Sequence, residues 1–213
     1  MTTVVAILAV AYLVGGIPWS LLVVRWTKGL DLRRVGSGNL GASNVYRVLG
    51  AKGALAVLGL DMAKGVVAPL AIARLRFDAP PVGSDVLALL AGVAAIAGHV
   101  FPPYVGFKGG KGIATTAGVF AALEPRAFGV AFAAFALALA ASRGIVSVGS
   151  LLAALVLPIA VWAAGAARGA VPWLHVGAAA ALAVLIWVKH AANLGRLARG
   201  EEKSLFRKRQ GVT

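Results

Sequence analysis

Long apolar runs, interrupted by short basic or glycine-rich stretches, set the limits on what this chain can become. Hydropathy places them at 3–24, 53–73, 84–101, 112–124, 126–142, 145–166 and 172–189. The first covers about 33 Å at helical rise, enough to cross the hydrocarbon core of a bilayer. It lacks the basic leading region of a signal peptide and is read as retained. Glu124-Pro125-Arg126 is read as a turn, because proline disfavours helix at the residue before it and adjacent charges are costly in lipid. Unsplit, 112–142 would be ~45 Å long, too long for an ordinary crossing. The expectation is an all-α integral membrane protein, a seven-transmembrane-helix bundle forming one domain over 1–213.

Charge gives an independent check on that topology. With the N-terminus outside, the segments 25–52, 102–112, 142–144 and 189–213 face the cytoplasm, and they hold sixteen of the 21 Lys and Arg residues. The opposite loops hold Arg74, Arg76, Arg126 and Arg168, and Lys64 lies inside an apolar run. This asymmetry follows the positive-inside rule and puts the polar, glycine-rich stretches on one side, with the C-terminus cytoplasmic. The chain is 60% hydrophobic with net charge +14 and mean hydropathy +0.89. A nucleic-acid partner would need a solvated basic surface interleaved with aromatics. Here the bases sit between apolar runs, which suits an anionic leaflet or a phosphorylated substrate. The absence of cysteine excludes disulfides, thiolate nucleophiles and zinc–cysteine clusters.

Four stretches carry chemistry. Gly106-Phe107-Lys108-Gly109-Gly110-Lys111-Gly112 combines bare backbone with two ammonium groups, the composition of an anion-binding nest at a membrane–water boundary. It is not a Walker loop, since Gly112 follows Lys111 where Ser or Thr is required. The stretch from Arg33 to Arg47 contains Gly36, Gly38 and Gly41, but without a preceding strand or a following acid a dinucleotide reading fails. It is read as a phosphate- or polyol-binding loop with Ser37, Asn39 and Arg47. The other reading is a plain loop, with Ser43 or Asn44 capping a short helix. Arg47 offers a guanidinium able to grip a phosphate bidentately, whereas Arg25, Lys28, Arg33 and Arg34 read as interfacial anchors.

Asp61 and Lys64 share a helix face at a spacing of three, either as a structural ion pair or as the lining of a polar cavity. His99 either orients a loop or is a satisfied interfacial histidine. An acyltransferase His-x4-Asp pattern would need aspartate at 104, which is tyrosine. Ser147 and Ser150 can face one cavity or bond their own backbone. On a helix leaving the membrane, His190, Asn193 and Arg196 or Leu197 fall on one stripe, and a histidine, an amide and a guanidinium in line make a donor-rich wall for a phosphorylated alcohol. Lys203, Arg207, Lys208 and Arg209 read as a leaflet anchor.

Together these stretches resemble the bacterial acyl-phosphate-dependent glycerol-3-phosphate acyltransferases, the PlsY family. The resemblance is carried by Gly36-Ser37-Gly38-Asn39 through Arg47, by Asp61-x-x-Lys64-Gly65, and by Gly98-His99-x-Phe101-Pro102 through Phe107 to Thr115. It ends with His190-x-x-Asn193-x-x-Arg196-Leu197-x-x-Gly200-x-Glu202. Order and spacing match over nearly the whole chain. Ser43 stands where the family pattern has threonine and Lys189 where arginine is usual; the hydroxyl and the charge are kept.

The resemblance implies acyl transfer from acyl phosphate to the 1-hydroxyl of glycerol 3-phosphate, giving lysophosphatidate and phosphate. It also implies a cytoplasm-facing site in the bacterial inner membrane and no metal or other cofactor. The expected partners are glycerol 3-phosphate, long-chain acyl phosphate and membrane lipids, with no nucleic acid and no obligate protein partner. Lys108 and Lys111, with the amides of Gly109, Gly110 and Gly112, are assigned to one phosphate. Arg47, His190 and Asn193 are assigned to glycerol 3-phosphate, and Ser37 and Asn39, flanked by Gly36 and Gly38, to positioning the reacting groups. Ser147 and Arg196 complete the binding set. The proton acceptor is either His190 or the donor's phosphate oxygen. The rival readings are a membrane transporter of an organic phosphate and a non-catalytic lipid-binding protein.

Overall fold

The computed structural model describes residues 1–206; Arg207, Lys208 and Arg209, read as part of a leaflet anchor, lie outside the described residues. Among the described residues the chain is helical, with no strand. The helices are α1 (Thr2–Gly16), α2 (Trp19–Lys28), α3 (Ala42–Leu70), α4 (Ser84–Val100), α5 (Ile113–Leu123), α6 (Pro125–Ala141), α7 (Val146–Ala167), α8 (Trp173–Lys189) and α9 (Ala191–Ala198). They fall into two compact units, 1–125 and 126–213.

Four helical stretches are long and apolar enough to cross a membrane: Thr2–Lys28, Ala42–Arg74, Ser84–Val105 and Val146–Ala167. The bent pair α8–α9 makes a fifth if counted as one span. At 11 and 17 residues, α5 and α6 fall short of the ~20 that an upright crossing needs. Length and composition therefore support a multi-pass membrane protein with four or five spans. Large apolar side chains such as Val5, Leu55, Leu137, Ile159, Trp162 and Val188 point outward, as lipid-facing residues do.

Two helix boundaries differ from the sequence reading and a third agrees with it. The run 3–24 is not one helix, because Pro18 has no N–H to continue the ladder and the chain breaks there. The helix expected from 53 starts at Ala42 and absorbs a kink at Gly50, whose φ is 75°. The turn expected at 124–126 is present, with α5 ending at Leu123 and α6 opening on Pro125.

In the first unit, glycine lets two helix pairs approach to backbone contact. A Cβ on Gly15 would lie 2.1 Å from the Ala95 carbonyl oxygen, and one on Gly98 would lie 2.0 Å from that of Tyr12, which locks α1 to α4. Gly65 against the Thr115 carbonyl and Gly118 against that of Met62 do the same for α3 and α5. Small-residue contacts of this kind drive helix association where no hydrophobic effect separates helix from lipid. Ile7, Ala11, Ala68, Leu87, Ala91 and Ala95 fill the core beside them.

In the second unit α7 packs on α8, and the Trp187 indole donates to the Leu151 carbonyl at 3.3 Å. The segment after α9 folds back on the α6–α7 turn. There the Leu205 amide donates to the Gly144 carbonyl and the Ser204 hydroxyl to that of Arg143.

Candidate active site

The glycine loop of the first unit is closed from inside by Asn44. That side chain is buried, accepts the Ser37 amide at 2.9 Å and donates to the Val35 carbonyl at 3.0 Å. Gly36 and Gly38 adopt positive φ to let the chain wrap around it. A Cβ on Gly36 would meet the Asn44 Oδ1 at 2.1 Å. Asn44 is thus a bracket for the loop. The cap position of α3 is Gly41, which answers the reading of Ser43 or Asn44 as a capping residue. Ser37 is left exposed, Asn39 is half-buried beside Gly41, and Arg47 is half-buried one turn beyond Asn44.

The lysine loop is less open than its composition suggests. The amide of Phe107 donates to the Pro102 carbonyl at 2.9 Å, that of Gly109 to Val100 at 3.2 Å and that of Gly110 to His99 at 3.1 Å. These three N–H groups hold the loop onto the end of α4 and are not presented outward, which corrects the expectation that Gly109 and Gly110 offer their amides to an anion. The amides that fit that role lie further on. Gly112, in the left-handed region at φ 87°, opens α5 without a side-chain cap. The first N–H groups of α5 have no preceding helical carbonyl to bond, the usual seat of an anion. Lys108 is exposed and Lys111 half-buried, with Gly110 buried between them. A Cβ on Gly110 would lie 2.8 Å from the Leu40 carbonyl, so the lysine loop and the glycine loop touch at this residue.

Beneath that contact lies a buried polar cluster. Lys64 Nζ is 2.8 Å from Asp61 Oδ1, with each side chain 3% exposed, and His99 Nδ1 approaches the same oxygen at 3.5 Å. Lys64 also donates to the Ile17 carbonyl at 3.1 Å, at the break between α1 and α2. A small recess here is lined by Ser20, Asp61, Lys64, His99, Gly109 and Gly110. Both sequence readings of Asp61 and Lys64 therefore hold at once: they pair, and they line a polar recess.

The second unit carries its own cluster, centred on Glu202. Its Oε1 accepts from the Ser147 hydroxyl at 3.0 Å and from the Asn193 amide at 2.5 Å, while Oε2 accepts from Arg196 Nε at 2.6 Å. Ser147, Asn193 and Arg196 are thereby brought together on one carboxylate. His190 stands at a 58° bend where α8 gives way to α9, and its carbonyl accepts the amides of Asn193 and Leu194, so it opens the turn that carries Asn193 and Arg196. Its Nδ1 is 2.8 Å from the Ile186 carbonyl. A carbonyl can only accept, so Nδ1 is the donor in this contact. Ser150 is buried further along α7.

Glu202 is the residue that the site assignment from sequence left out. The only signal for it was its place at the end of the last motif, in a tail otherwise rich in cations. Burial pushes its carboxyl upward, but the hydrogen bonds from Arg196, Asn193 and Ser147 outweigh this and hold it below the ordinary carboxylate range. A carboxylate whose folded pKa is depressed stabilises the fold fully above its unfolded value of 4.5, and the contribution is lost as pH falls through the lower folded value. Glu202→Gln will therefore melt below the parent at pH 7, and the gap will close as pH drops below about 4. Melting curves of the two proteins in detergent across that range decide it; a gap independent of pH would reject the assignment.

The chain belongs to the glycerol-3-phosphate acyltransferase family, whose model matches residues 5–200. It is 42% identical over 199 residues to the glycerol-3-phosphate acyltransferase of Anaeromyxobacter dehalogenans (strain 2CP-C), covering 93% of this chain and 96% of that one. It is 41% identical, with the same coverage, to that of Desulfotalea psychrophila (strain LSv54 / DSM 12343). Among solved structures it is similar to PlsY (YgiH), an integral membrane glycerol 3-phosphate acyltransferase, in its glycerol 3-phosphate form. That match has a TM-score of 0.82 and 33% identity and covers 94% of each chain. The lysophosphatidic acid form of PlsY matches with a TM-score of 0.79.

Proposed function

We propose that this protein transfers a fatty acyl group from acyl phosphate to the 1-hydroxyl of sn-glycerol 3-phosphate, giving lysophosphatidate and inorganic phosphate. The observation that carries the reading is the meeting of two anion-suited loops at Gly110 and Leu40, one with Lys108 and Lys111 and the other with Ser37 and Arg47. Two phosphorylated molecules must approach each other in this reaction, and their accumulated negative charge needs fixed cations. The relatives' names support glycerol 3-phosphate as acceptor. In this reading the protein is one functional domain in the bacterial inner membrane. It has seven crossings, with the short α5 and α6 each counted as one, the N-terminus outside and the site facing the cytoplasm.

Acyl phosphate is a mixed anhydride, so the enzyme need supply no covalent nucleophile. The 1-hydroxyl oxygen attacks the acyl carbonyl carbon, the carbonyl–phosphate C–O bond breaks, and phosphate leaves with the electron pair. The hydroxyl proton passes to the departing phosphate or to His190. Lys108, Lys111 and the α5 amides hold one phosphate, with Gly109 and Gly110 shaping the loop. Arg47 binds glycerol 3-phosphate, and Ser37 and Asn39 orient the reacting groups; the family resemblance assigns His190 and Asn193 to the same substrate. Ser147 and Arg196 act through Glu202, which fixes Asn193.

Purified protein in detergent, given acyl phosphate, will release phosphate only when glycerol 3-phosphate is present, and lysophosphatidate will form in equal amount. An acyl-CoA control will stay silent. Folded protein that makes no product but carries glycerol 3-phosphate into vesicles would replace this reading with transport.

A further inference from the structure

The buried cluster under the loop contact carries a role that substrate binding does not account for. His99 lies between a charge and a glycine. On one side its Nδ1 faces the Asp61 carboxylate at 3.5 Å, whose charge is balanced by Lys64 at 2.8 Å. On the other side its Nε2 lies where a Cβ of Gly110 would be, 2.2 Å away, and its own carbonyl accepts the Gly110 amide at 3.1 Å. The neighbouring Gly109 is seated as closely, since a Cβ there would lie 2.1 Å from the His99 carbonyl oxygen. The His99 side chain is only 7% exposed and is held between these two contacts. Its ring is the floor on which the middle of the lysine loop rests. Lys108 and Lys111 flank that middle on either side.

We propose that His99 is a positioning residue: clamped by the Asp61–Lys64 pair, its ring sets the seat of Gly110 and so fixes where Lys108 and Lys111 present their charges. Ion pairs buried in a membrane protein usually face the bundle interior or a polar cavity. This one spans from the α1–α2 break, through Lys64 and Ile17, to the underside of a loop at the site. Moving the floor moves the loop, because closely packed interiors transmit displacement and do not absorb it.

The test uses the full chain with His99→Gln, His99→Asn, Gly110→Ala and the His99→Asn/Gly110→Ala pair. Asparagine keeps a donor at the Nδ1 position but withdraws the floor; glutamine keeps a polar end at the Nε2 position. The first readout is hydrogen exchange, which is independent of any enzymatic activity. His99→Asn will speed exchange across 106–112 about tenfold and leave α7 and α8 unchanged, while His99→Gln will stay closer to the parent. The second readout, which rests on the acyl-transfer reading, is steady-state kinetics. His99→Asn will raise the KM of the substrate held by the lysine loop about tenfold, with kcat changed less than threefold. The double variant will be no worse than Gly110→Ala alone, since residues acting through one contact are not additive.

Unchanged exchange in 106–112, or exchange that rises uniformly over both units, would overturn the proposal, as would strictly additive kinetic effects. If the parent protein forms no lysophosphatidate, the acyl-transfer reading falls while the exchange experiment still decides this one.

Discussion

Lys64→Met will destabilise the folded protein by about 3–5 kcal/mol, because it leaves the Asp61 carboxylate buried without its ammonium partner and faced only by His99 at 3.5 Å. In a chain of this size that corresponds to a fall of roughly 6–20 °C in melting temperature in detergent. The argument turns on burial. Exposed ion pairs are worth ~0–1 kcal/mol, but here each side chain is 3% exposed and lies within the helical core of the first unit. A second loss accompanies the first, since the Ile17 carbonyl no longer receives the Lys64 ammonium at the α1–α2 break. The double variant Asp61→Asn/Lys64→Met removes both charges and will recover part of the loss, which separates the cost of an orphaned charge from that of a missing bond. A Lys64→Met protein melting within about 1 °C of the parent would show that the pair is not buried as described.

The same cluster marks how far the sequence could be read. Asp61 and Lys64 are legible as a pair because a spacing of three puts both on one helix face. His99 is their partner only through the packing of α4 against α3, a contact that no local pattern announces. The break at Glu124-Pro125 was legible because a proline and two opposite charges lie inside an otherwise apolar run. The break at Pro18 was not, since its neighbours are apolar on both sides and hydropathy does not register a missing N–H. Residues 42–52 are polar enough to read as loop, yet they form the first turns of α3, where the Asn44 side chain is turned onto the glycine loop.

The glycine-rich loops were found by composition, but composition could not say which amides point outward. Gly109 and Gly110 donate theirs to α4 and Phe107 to Pro102 just beyond it, and the turn geometry that decides this depends on where α4 ends. Glu202 shows the same limit from the other direction. It sits among cations in sequence and is joined in space to Ser147, Asn193 and Arg196 by the return of the chain over the α6–α7 turn. A helical-stripe argument grouped Asn193 and Arg196, which meet on Glu202, but no local pattern announced the bend between α8 and α9 at His190.

In the acyl-transfer reading, which assigns the acceptor's phosphate to Arg47, the largest effect on activity is expected at that residue. Arg47→Lys keeps one positive charge in place and removes the planar fork that meets a phosphate with two parallel N–H bonds. Hydrogen bonds to charged groups contribute about 1.5–3 kcal/mol each. Losing one of two lowers kcat/KM for glycerol 3-phosphate roughly 10–100-fold, and Arg47→Ala, which loses both, lowers it roughly 100–10,000-fold. Lys108 supplies the contrast. It is exposed and presents a point charge whose direction matters little, so Lys108→Arg will keep most of the activity that Lys108→Met loses. The asymmetry is the informative result: geometry governs at residue 47 and charge at residue 108. Initial rates with glycerol 3-phosphate varied at saturating acyl phosphate, for all four variants, measure it directly. Arg47→Lys turning over with the parent's kcat/KM would mean that the guanidinium does not grip the acceptor's phosphate, and the assignment of that phosphate would pass to the lysine loop.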